Sequence, residues 1–190
     1  MEKKGTQKCL QRETALRARN AGDAQTAERF SKIISEKIIV HPVFGKAETI
    51  LSYQALAGEV NPSLFNELAV RSGKRVAFPL CYKKGVMVAA IPHSEDDWET
   101  GRFGLKTPVE ARSVILDPSD IDLVIVPCVA FDGKSKMRIG WGAGYYDRYL
   151  PQCKNATTIA IAFEAQNIDG LCHDDWDVPL DAVITEEKRY

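Results

Sequence analysis

The apolar residues of this chain follow two different spacings. Five apolar positions repeat at helical spacing in a helix that begins at the N-cap residue Asp23, and they are Ala27, Phe30, Ile33, Ile34 and Ile38. Short continuous apolar runs are typical of buried strands instead. The strands that these runs predict are residues 47–53, 75–80, 86–91, 121–126, 158–163 and 182–185.

Two further helices and one irregular region complete the predicted pattern. Residues 6–20 are rich in Arg, Gln, Ala and Leu, which favour helix, and Asn61 followed by a proline predicts the start of a helix that ends at Gly73. Residues 92–120 are polar and contain prolines, so loops and a short helix are expected there. Strands that alternate with helices predict one α/β domain over residues 1–190, with a mostly parallel central sheet flanked by helices.

The most distinctive segment, Arg138-Ile-Gly-Trp-Gly-Ala-Gly-Tyr-Tyr-Asp147, follows the fourth predicted strand. It places Gly140, Gly142 and Gly144 directly before residues that can open a helix. Glycines leave backbone N–H groups unshielded, so such a link between strand and helix can bind phosphate. Arg138 would add a cation and Asp147 a carboxylate for a metal ion. The same spacing also suits a tight turn that needs positive φ.

Composition narrows the class of protein. The chain has 190 residues, a formal net charge of −1 and 45% hydrophobic residues, which is typical of a globular protein and gives no overall basic field for nucleic acid. No apolar run approaches the roughly 20 residues that span a bilayer, and the N-terminus lacks the apolar core of a secretory signal. The five cysteines are scattered, as in reduced proteins. We expect a cytoplasmic monomer or weak homodimer that binds small molecules rather than nucleic acid or membranes.

The glycine segment belongs to a longer pattern. Its parts are Val126-Pro-Cys-Val-Ala-Phe-Asp132, Arg138-Ile-Gly140 and Gly142-Ala-Gly-Tyr-Tyr-Asp-Arg-Tyr-Leu150. This pattern resembles the signature of the 5-formyltetrahydrofolate cyclo-ligase family. The resemblance implies a Rossmann-like fold of the NagB/RpiA/CoA-transferase-like type, and a ligase that forms a C–N bond with ATP and Mg2+ as cofactors. The implied reaction converts 5-formyltetrahydrofolate to 5,10-methenyltetrahydrofolate and releases ADP and phosphate, through phosphorylation of the formyl oxygen and attack by N10.

Family members contact ATP through a basic N-terminal helix, which residues 1–20 match. Gln11 stands where arginine is usual, so Lys8 and Arg12 are expected to supply the positive charge, because residues four apart share one helical face. A solvated basic face is the alternative. The ATP site that the resemblance implies consists of Gln7, Lys8, Gln11, Arg12, Arg138, Gly140, Trp141, Gly142, Ala143, Gly144, Tyr145 and Tyr146.

The resemblance also implies catalytic, folate-binding and metal-binding residues. The expected catalytic residues are Arg138, Tyr146 and Asp147, and the two tyrosines that precede Asp147 have packing at the helix start as their alternative role. The expected magnesium ligands are Asp147 and Asp177, whereas Asp174 and Asp175 could equally lie on the surface. The substrate-binding residues that the resemblance implies are Gln54, Glu59, Phe103, Trp141, Gly142, Ala143, Gly144 and Tyr145.

Two of the substrate residues have a chemical rationale. Glu59 is expected to accept hydrogen bonds from the adjacent N–H and NH2 donors of a pterin ring, although a plain loop residue or a charge near a helix start would look the same. Phe103 matches an aromatic residue that stacks on folate, with Trp98 as the second candidate and a core or turn role as the alternative.

The sequence is also compatible with two other functions. A folate- or nucleotide-binding relative without catalytic activity is one, because Gln11 and Trp141 depart from the family pattern, in which many members carry arginine at both positions. A sugar-phosphate isomerase-like enzyme of the same fold is the other, and it would need neither Glu59 nor ATP.

Overall fold

The computed structural model describes residues 2–101 and 104–190. Its helices are α1 (Glu2–Asn20), α2 (Ala24–Ile39), α3 (Pro42–Lys46), α4 (Ser63–Arg71) and α5 (Tyr145–Tyr149). Its strands are β1 (Thr49–Leu51), β2 (Arg75–Cys81), β3 (Met87–Pro92), β4 (Trp98–Thr100), β5 (Lys106–Pro108), β6 (Ser113–Leu116), β7 (Leu123–Pro127), β8 (Ala130–Phe131), β9 (Arg138–Ile139), β10 (Thr157–Ile161) and β11 (Ala182–Ile184). Phe103, expected at the folate site, lies outside the described residues.

Seven strands form the central sheet in the order β11-β10-β7-β1-β2-β3-β6. The strands from β11 to β2 are parallel, and β3 and β6 continue the sheet in antiparallel pairing. β7 lies in the middle of the parallel part, and the side chains of residues 123–126 are fully buried. That burial explains why the run is continuously apolar, as in strands covered on both faces. The predicted α/β fold with a mostly parallel sheet is confirmed.

Helices α2 and α4 cover one face of the sheet. Ile34 and Ile38 of α2 pack with Phe65 of α4 in one hydrophobic cluster, and all three are fully buried. Replacing a buried phenylalanine such as Phe65 by alanine is expected to destabilise the fold by roughly 3–5 kcal/mol. The opposite face is covered by Tyr149 and Leu150, at the end of α5.

The N-terminal helix α1 packs against the segment that follows β7. Ala15 of α1 is buried with Val129, Ile139 and Leu171 in a separate small cluster. Chains that continue beyond the carboxyl ends of parallel strands form the usual ligand-binding edge of such sheets. The packing of α1 therefore carries its basic residues to that edge.

Several boundaries differ from the sequence prediction. The region 92–120 contains the expected loops and short helical segments and also the strands β4, β5 and β6, which were not expected because strands of three or four residues give only a short pattern. β1 has three residues rather than the expected seven. α4 has Pro62 as its N-cap, and the Asn61 side chain accepts a hydrogen bond from the Ser63 N–H (3.0 Å).

The longest helix, α1, has 19 residues and a strongly polar sequence. Within residues 2–101 and 104–190, no helix has both the length and the apolar character that crossing a bilayer requires.

Candidate functional site

Residues 140–144, called the glycine loop below, connect β9 to α5. Gly142 (φ +96°) and Gly144 (φ +66°) have left-handed backbones, so the requirement for positive φ is real at these two positions. Among the hydrogen bonds of the described residues, none has an N–H of the glycine loop as its donor. Such N–H groups are available to a bound anion, because backbone donors strongly favour having a partner.

The helix after the loop is shorter than a phosphate-binding helix usually is. α5 has five residues, Tyr145–Tyr149, before the chain turns into a 3₁₀ segment. A helix macrodipole needs several aligned turns to reach full strength. The helix dipole that the sequence suggested is therefore a small contributor, and the positive charge at the site comes mainly from side chains.

Two guanidinium groups hold the carbonyl oxygens of the glycine loop. Arg12 Nε donates to the Gly140 carbonyl oxygen (2.9 Å). Arg148 Nη2 donates to the Ala143 carbonyl oxygen, and its Nε donates to the carbonyl oxygen of Gly85 (3.1 Å). These contacts engage two carbonyl oxygens of the loop and leave its N–H donors open. They also place positive charge beside the loop, as an anion site requires.

Lys8 lies one helical turn before Arg12 and bridges two carboxylates. Its Nζ lies 2.6 Å from Asp174 Oδ2 and 2.5 Å from Asp177 Oδ2, and only 16% of its side chain is exposed. Burial lowers the pKa of Lys8, but the hydrogen bonds to the two carboxylates outweigh burial and hold its pKa above the ordinary value. Lys8 is thus not a solvated surface charge, and Asp174 contributes to the site instead of lying free on the surface.

Arg138 is almost fully buried and is bonded to Asp147. Its Nη2 donates to Asp147 Oδ1 (2.9 Å), and its Nη1 donates to the carbonyl oxygen of Val178 (3.1 Å). The Arg138 side chain is 4% exposed and that of Asp147 is 24% exposed. A buried guanidinium fixed at two points is a rigid cation. Asp147 keeps an exposed side that faces the neighbouring cavity.

Asp147 and Asp177 are the candidate carboxylate ligands for Mg2+. Asp147 and Asp177 line one cavity, but each is bonded to a cation of the protein, and the described part of the chain contains no group of three or more His, Cys, Asp or Glu side chains arranged to hold a metal. Mg2+ is commonly bound through one or two carboxylates together with substrate phosphates and water. Asp147 and Asp177 fit that mode, and they do not fit a cage made of protein ligands.

The two tyrosines before Asp147 have different environments. The Tyr145 hydroxyl donates to the Tyr82 carbonyl oxygen (2.9 Å). The Tyr146 hydroxyl is buried and has no hydrogen-bond partner among the residues that the structure describes. Burial raises the pKa of Tyr146, so its hydroxyl stays protonated as a potential donor. An unpaired buried hydroxyl is unfavourable in the free protein, which is why we note it as a candidate ligand contact.

A cavity of about 740 Å3 brings most of the predicted ATP-site residues together. The predicted site residues that line it are Lys8, Arg12, Arg138, Gly140, Trp141, Gly142, Ala143, Gly144, Tyr145, Tyr146, Asp147 and Asp177. Gln7, Gln11 and Gln54 are not among its described lining residues. Gln7 is exposed on α1, and Gln54 is half-buried after β1. Gln11 instead holds the backbone of residues 170–172, accepting from the Cys172 N–H (2.8 Å).

A second depression, more open and of about 990 Å3, lies beside the first and is lined by Arg19 and Glu59. The two cavities meet at a hydrogen bond in which Trp141 Nε1 donates to Glu59 Oε1 (2.8 Å). Arg19 stacks over the Trp141 ring, with its guanidinium carbon 5.6 Å from the ring centroid. The structure therefore joins Glu59, which was expected to bind folate, to Trp141, which was expected to contact both ATP and folate.

Comparison with known proteins identifies the family of this chain. The model of the 5-formyltetrahydrofolate cyclo-ligase family matches residues 4–186. The chain belongs to the 5-formyltetrahydrofolate cyclo-ligase family. The predicted family and the predicted enzyme class are confirmed by this match, which covers nearly the whole chain.

Relatives that carry the cyclo-ligase or synthetase name are similar to this chain over most of their length. The 5-formyltetrahydrofolate cyclo-ligase of Escherichia coli K12 is 27% identical over 174 residues, which cover 90% of this chain and 95% of the relative. The NMR structure of 5,10-methenyltetrahydrofolate synthetase from Aquifex aeolicus superposes with a TM-score of 0.82 at 31% identity, covering 96% of this chain and 91% of that one. A 5,10-methenyltetrahydrofolate synthetase from Mycoplasma pneumoniae gives a TM-score of 0.76 at 26% identity, with coverages of 94% and 98%.

Two site residues of this cyclo-ligase family member were missed by sequence reasoning. Arg19 was not considered, although it lies seven residues after Arg12, a spacing that returns to the same face after two helical turns. Asp174 was left as a possible surface residue, and only the long-range contact with Lys8 identifies it. The helical spacing from Arg12 could have identified Arg19. No sequence pattern could have identified Asp174, because its partner Lys8 is 166 residues away.

Proposed function

We propose that this protein converts 5-formyltetrahydrofolate to 5,10-methenyltetrahydrofolate, with consumption of ATP in the presence of Mg2+ and release of ADP and phosphate. The observation that carries the proposal is the glycine loop, whose unpaired N–H groups share one cavity with Lys8, Arg12 and Arg138. Unpaired backbone donors beside several cations match a triphosphate. Membership of the cyclo-ligase family supports the folate half of the reaction.

The chemistry explains why ATP is needed. The formyl group on N5 is an amide, and its oxygen is a poor leaving group. Transfer of the γ-phosphoryl group to that oxygen makes it part of a phosphate ester. N10 then attacks the formyl carbon and loses its proton, the C–O bond breaks, and the oxygen departs with inorganic phosphate. Atoms balance, since one ATP gives one ADP and one phosphate for each ring closed.

The protein's contribution is mainly alignment and charge stabilisation. Both reactants are small molecules, and holding them in line removes much of the entropic barrier. Arg138 is pre-oriented by Asp147 and Val178, so it offsets charge on the transferring phosphoryl group without reorganising. The protonated Tyr146 hydroxyl is available to donate to a ligand oxygen. We assign these roles to Arg138 and Tyr146 on that basis.

Asp147 and Asp177 are the proposed Mg2+ ligands. When bound with the nucleotide, Mg2+ would screen the negative charge of the phosphates. Asp147 lies nine residues from Arg138 in sequence and is directly bonded to it, so the same carboxylate orients a cation of the protein. Asp177 shares Lys8 with Asp174, which places a cation of the protein beside the second proposed ligand.

Glu59 is the proposed pterin contact. Its Oε2 accepts from the Leu56 N–H (2.9 Å) and its Oε1 from Trp141, so both oxygens are fixed while each keeps acceptor capacity. A fixed carboxylate with free lone pairs suits two adjacent donors of a pterin ring. The assignments of Gln54 and Phe103 to the folate site remain predictions from the family resemblance, as do those of Gln7 and Gln11 to the ATP site.

A direct assay tests the reaction. Purified protein, MgATP and 5-formyltetrahydrofolate are mixed, and the absorbance of the methenyl product is followed, with ADP and phosphate measured in parallel. Growth of the absorbance that requires ATP, with one ADP for each ring closed, is the expected result. Substrate labelled with 18O in the formyl group should transfer the label to inorganic phosphate.

The assay also separates the alternatives. Binding of both ligands without growth of the absorbance would mean a binding protein without catalytic activity. Sugar-phosphate isomerisation without ATP would indicate the isomerase-like function instead. Label that appears in water rather than phosphate would contradict phosphorylation of the formyl oxygen, even if the product forms.

A further inference from the structure

We propose that Trp141 is a positioning residue whose indole N–H orients the Glu59 carboxylate and thereby couples nucleotide binding at the glycine loop to folate binding at Glu59. The inference rests on the proposed function, which assigns these two ligands to the two cavities. It differs from the expected contact role of Trp141, because the indole would act through Glu59 and not through its own contact with ATP or folate.

The hydrogen bond joins two separate segments of the chain. Trp141 is in the glycine loop between Gly140 and Gly142, and Glu59 is 82 residues earlier, in the loop that follows β1. The bond lies where the 740 Å3 cavity meets the 990 Å3 depression, since Trp141 lines the first and Glu59 the second. A displacement of the glycine loop on nucleotide binding would therefore move the Trp141 indole N–H, which donates to Glu59.

The bond orients Glu59 without blocking it. Trp141 Nε1 and the Leu56 N–H each use one lone pair on a different oxygen of Glu59. A carboxylate offers about four acceptor positions, so two remain for a ligand. Folate and Trp141 can consequently bind the same carboxylate together. A positive coupling follows from this arrangement, because each ligand stabilises a geometry that the other one needs.

Arg19 holds the indole from the side of α1. Its side chain is 9% exposed, its guanidinium stacks over the Trp141 ring, and its charge interacts favourably with Glu59. Its Nη1 atom is buried without a hydrogen-bond partner among the residues described here. A desolvated guanidinium over an aromatic face is a comparatively strong contact. The indole, 51% exposed at its residue, is thereby kept in one orientation.

The substitution Trp141→Phe isolates the proposed role. Phenylalanine retains an aromatic ring for Arg19 and for any stacking on a ligand, and it removes the N–H that Glu59 accepts from. A direct stacking role would therefore survive the substitution, whereas positioning of Glu59 would be lost. Val70→Ala is the control, because Val70 is exposed and is not among the described residues that line either cavity.

Calorimetry on the intact protein gives the decisive measurement. The dissociation constant of 5-formyltetrahydrofolate is measured with and without a nonhydrolysable ATP analogue and Mg2+, and the ratio of the two constants is the coupling factor. We expect a coupling factor of about five to ten for the unmodified protein and for Val70→Ala, at the lower end of typical couplings because the bond is partly exposed. Trp141→Phe should reduce the factor to near one, with an unchanged midpoint of thermal unfolding.

A double-substitution cycle tests whether Trp141 acts through Glu59. In the Glu59→Ala background, Trp141→Phe should have no further effect on folate affinity. If Glu59→Ala weakens folate binding but Trp141→Phe retains both affinity and coupling, the positioning role is wrong and the proposed function stands. If Glu59→Ala leaves folate affinity unchanged, the assignment of Glu59 itself fails. Independent effects of the two substitutions would mean that Trp141 contacts a ligand directly.

Discussion

The glycine loop differs from a second region in how its polar groups find hydrogen-bond partners. The second region consists of Glu164 and residues 185–190 and is called the C-terminal corner. In the C-terminal corner the Glu164 carboxylate accepts from the hydroxyls of Thr185 (2.8 Å) and Tyr190. The Tyr190 hydroxyl also accepts from Asn167 Nδ2 (2.8 Å). In the glycine loop, the described backbone N–H groups donate to no protein acceptor. The polar groups of the C-terminal corner therefore bond to one another, whereas the N–H groups of the glycine loop have no acceptor within the described protein.

This difference shows which polar groups stabilise the fold and which are available for a ligand. Two carbonyl oxygens of the glycine loop, those of Gly140 and Ala143, are held by Arg12 and Arg148, whereas its N–H donors have no acceptor among the described residues. Selective satisfaction of acceptors, next to cations, produces a site for anions. Substitutions in the glycine loop should change binding more than stability, and substitutions in the C-terminal corner should do the reverse.

The largest effect is expected for Asp147→Asn. Asparagine retains an oxygen that can accept from Arg138, so folding should be preserved, but the negative charge for Mg2+ is lost. We expect kcat/KM to fall by roughly 100-fold to 1,000-fold, comparable with the loss of one preorganised charged contact. The measurement is the rate of methenyl formation as a function of Mg2+ concentration, and its dependence on Mg2+ should become weaker.

Asp169→Asn is the control for that substitution. Asp169 forms an exposed ion pair with Lys134 (2.9 Å), whose side chains are 72% and 80% exposed, and such pairs contribute little to stability. The activity of the Asp169→Asn variant should match that of the unmodified protein. Full activity of Asp147→Asn with an unchanged Mg2+ requirement would refute the metal assignment.

Gly142→Val should weaken ATP binding by more than about tenfold. The side chain would cover N–H groups of the loop, and a β-branched residue is strained at φ +96°, at a cost of roughly 1–3 kcal/mol. The measurement is the dissociation constant of MgATP by calorimetry. The control Gly73→Val separates the effect of backbone strain from blockage of the phosphate site.

Gly73→Val supplies the matched control. Gly73 has a similar backbone (φ +78°), follows the end of α4, and has no atom within 4 Å of an added Cβ. It should lower stability by a comparable amount and leave ATP affinity unchanged. Normal ATP affinity in Gly142→Val, at whatever stability, would contradict phosphate binding by the glycine loop.

A smaller effect is expected when the cations of α1 are removed. Replacing both Lys8 and Arg12 by alanine should raise the Michaelis constant for ATP about tenfold, because two partly buried charges beside the phosphates are lost. Arg17→Ala, on an exposed face of the same helix, is the control and should change this constant less than twofold. An unchanged constant in the double variant would show that α1 does not contribute to the ATP site.

The sequence predicted the parts of the molecule that depend on local patterns. The apolar run of β7 and the glycines before Tyr145 carry their own signals, since burial on both faces and positive φ restrict residue type. The short strands of region 92–120 carry no such signal. Contacts such as the one between Trp141 and Glu59 join segments far apart in sequence, so neither residue alone predicts the other.

The smallest effect on activity is expected for Glu164→Gln in the C-terminal corner. Burial raises the pKa of Glu164, but hydrogen bonds from Tyr190, Thr185 and Asn167 outweigh burial and hold its pKa below the ordinary value of 4.5. Because the folded-state pKa is lowered, the ionised carboxylate stabilises the fold fully above about pH 4.5, and this contribution is lost as the pH falls through the folded-state value.

The substitution should therefore reduce the free energy of unfolding by about 1 kcal/mol at pH 7, the size of one hydrogen bond, without changing the constants for ATP or folate. Urea unfolding at pH 7 and at pH 3 measures the difference between the variant and the unmodified protein, which should shrink at the lower pH because the stabilisation from the ionised carboxylate decreases below the ordinary pKa of 4.5. A difference that grows on acidification would contradict the lowered pKa of Glu164. A change in ATP affinity would contradict the separation between the C-terminal corner and the glycine loop, because neither Glu164 nor Tyr190 lines the cavity at that loop.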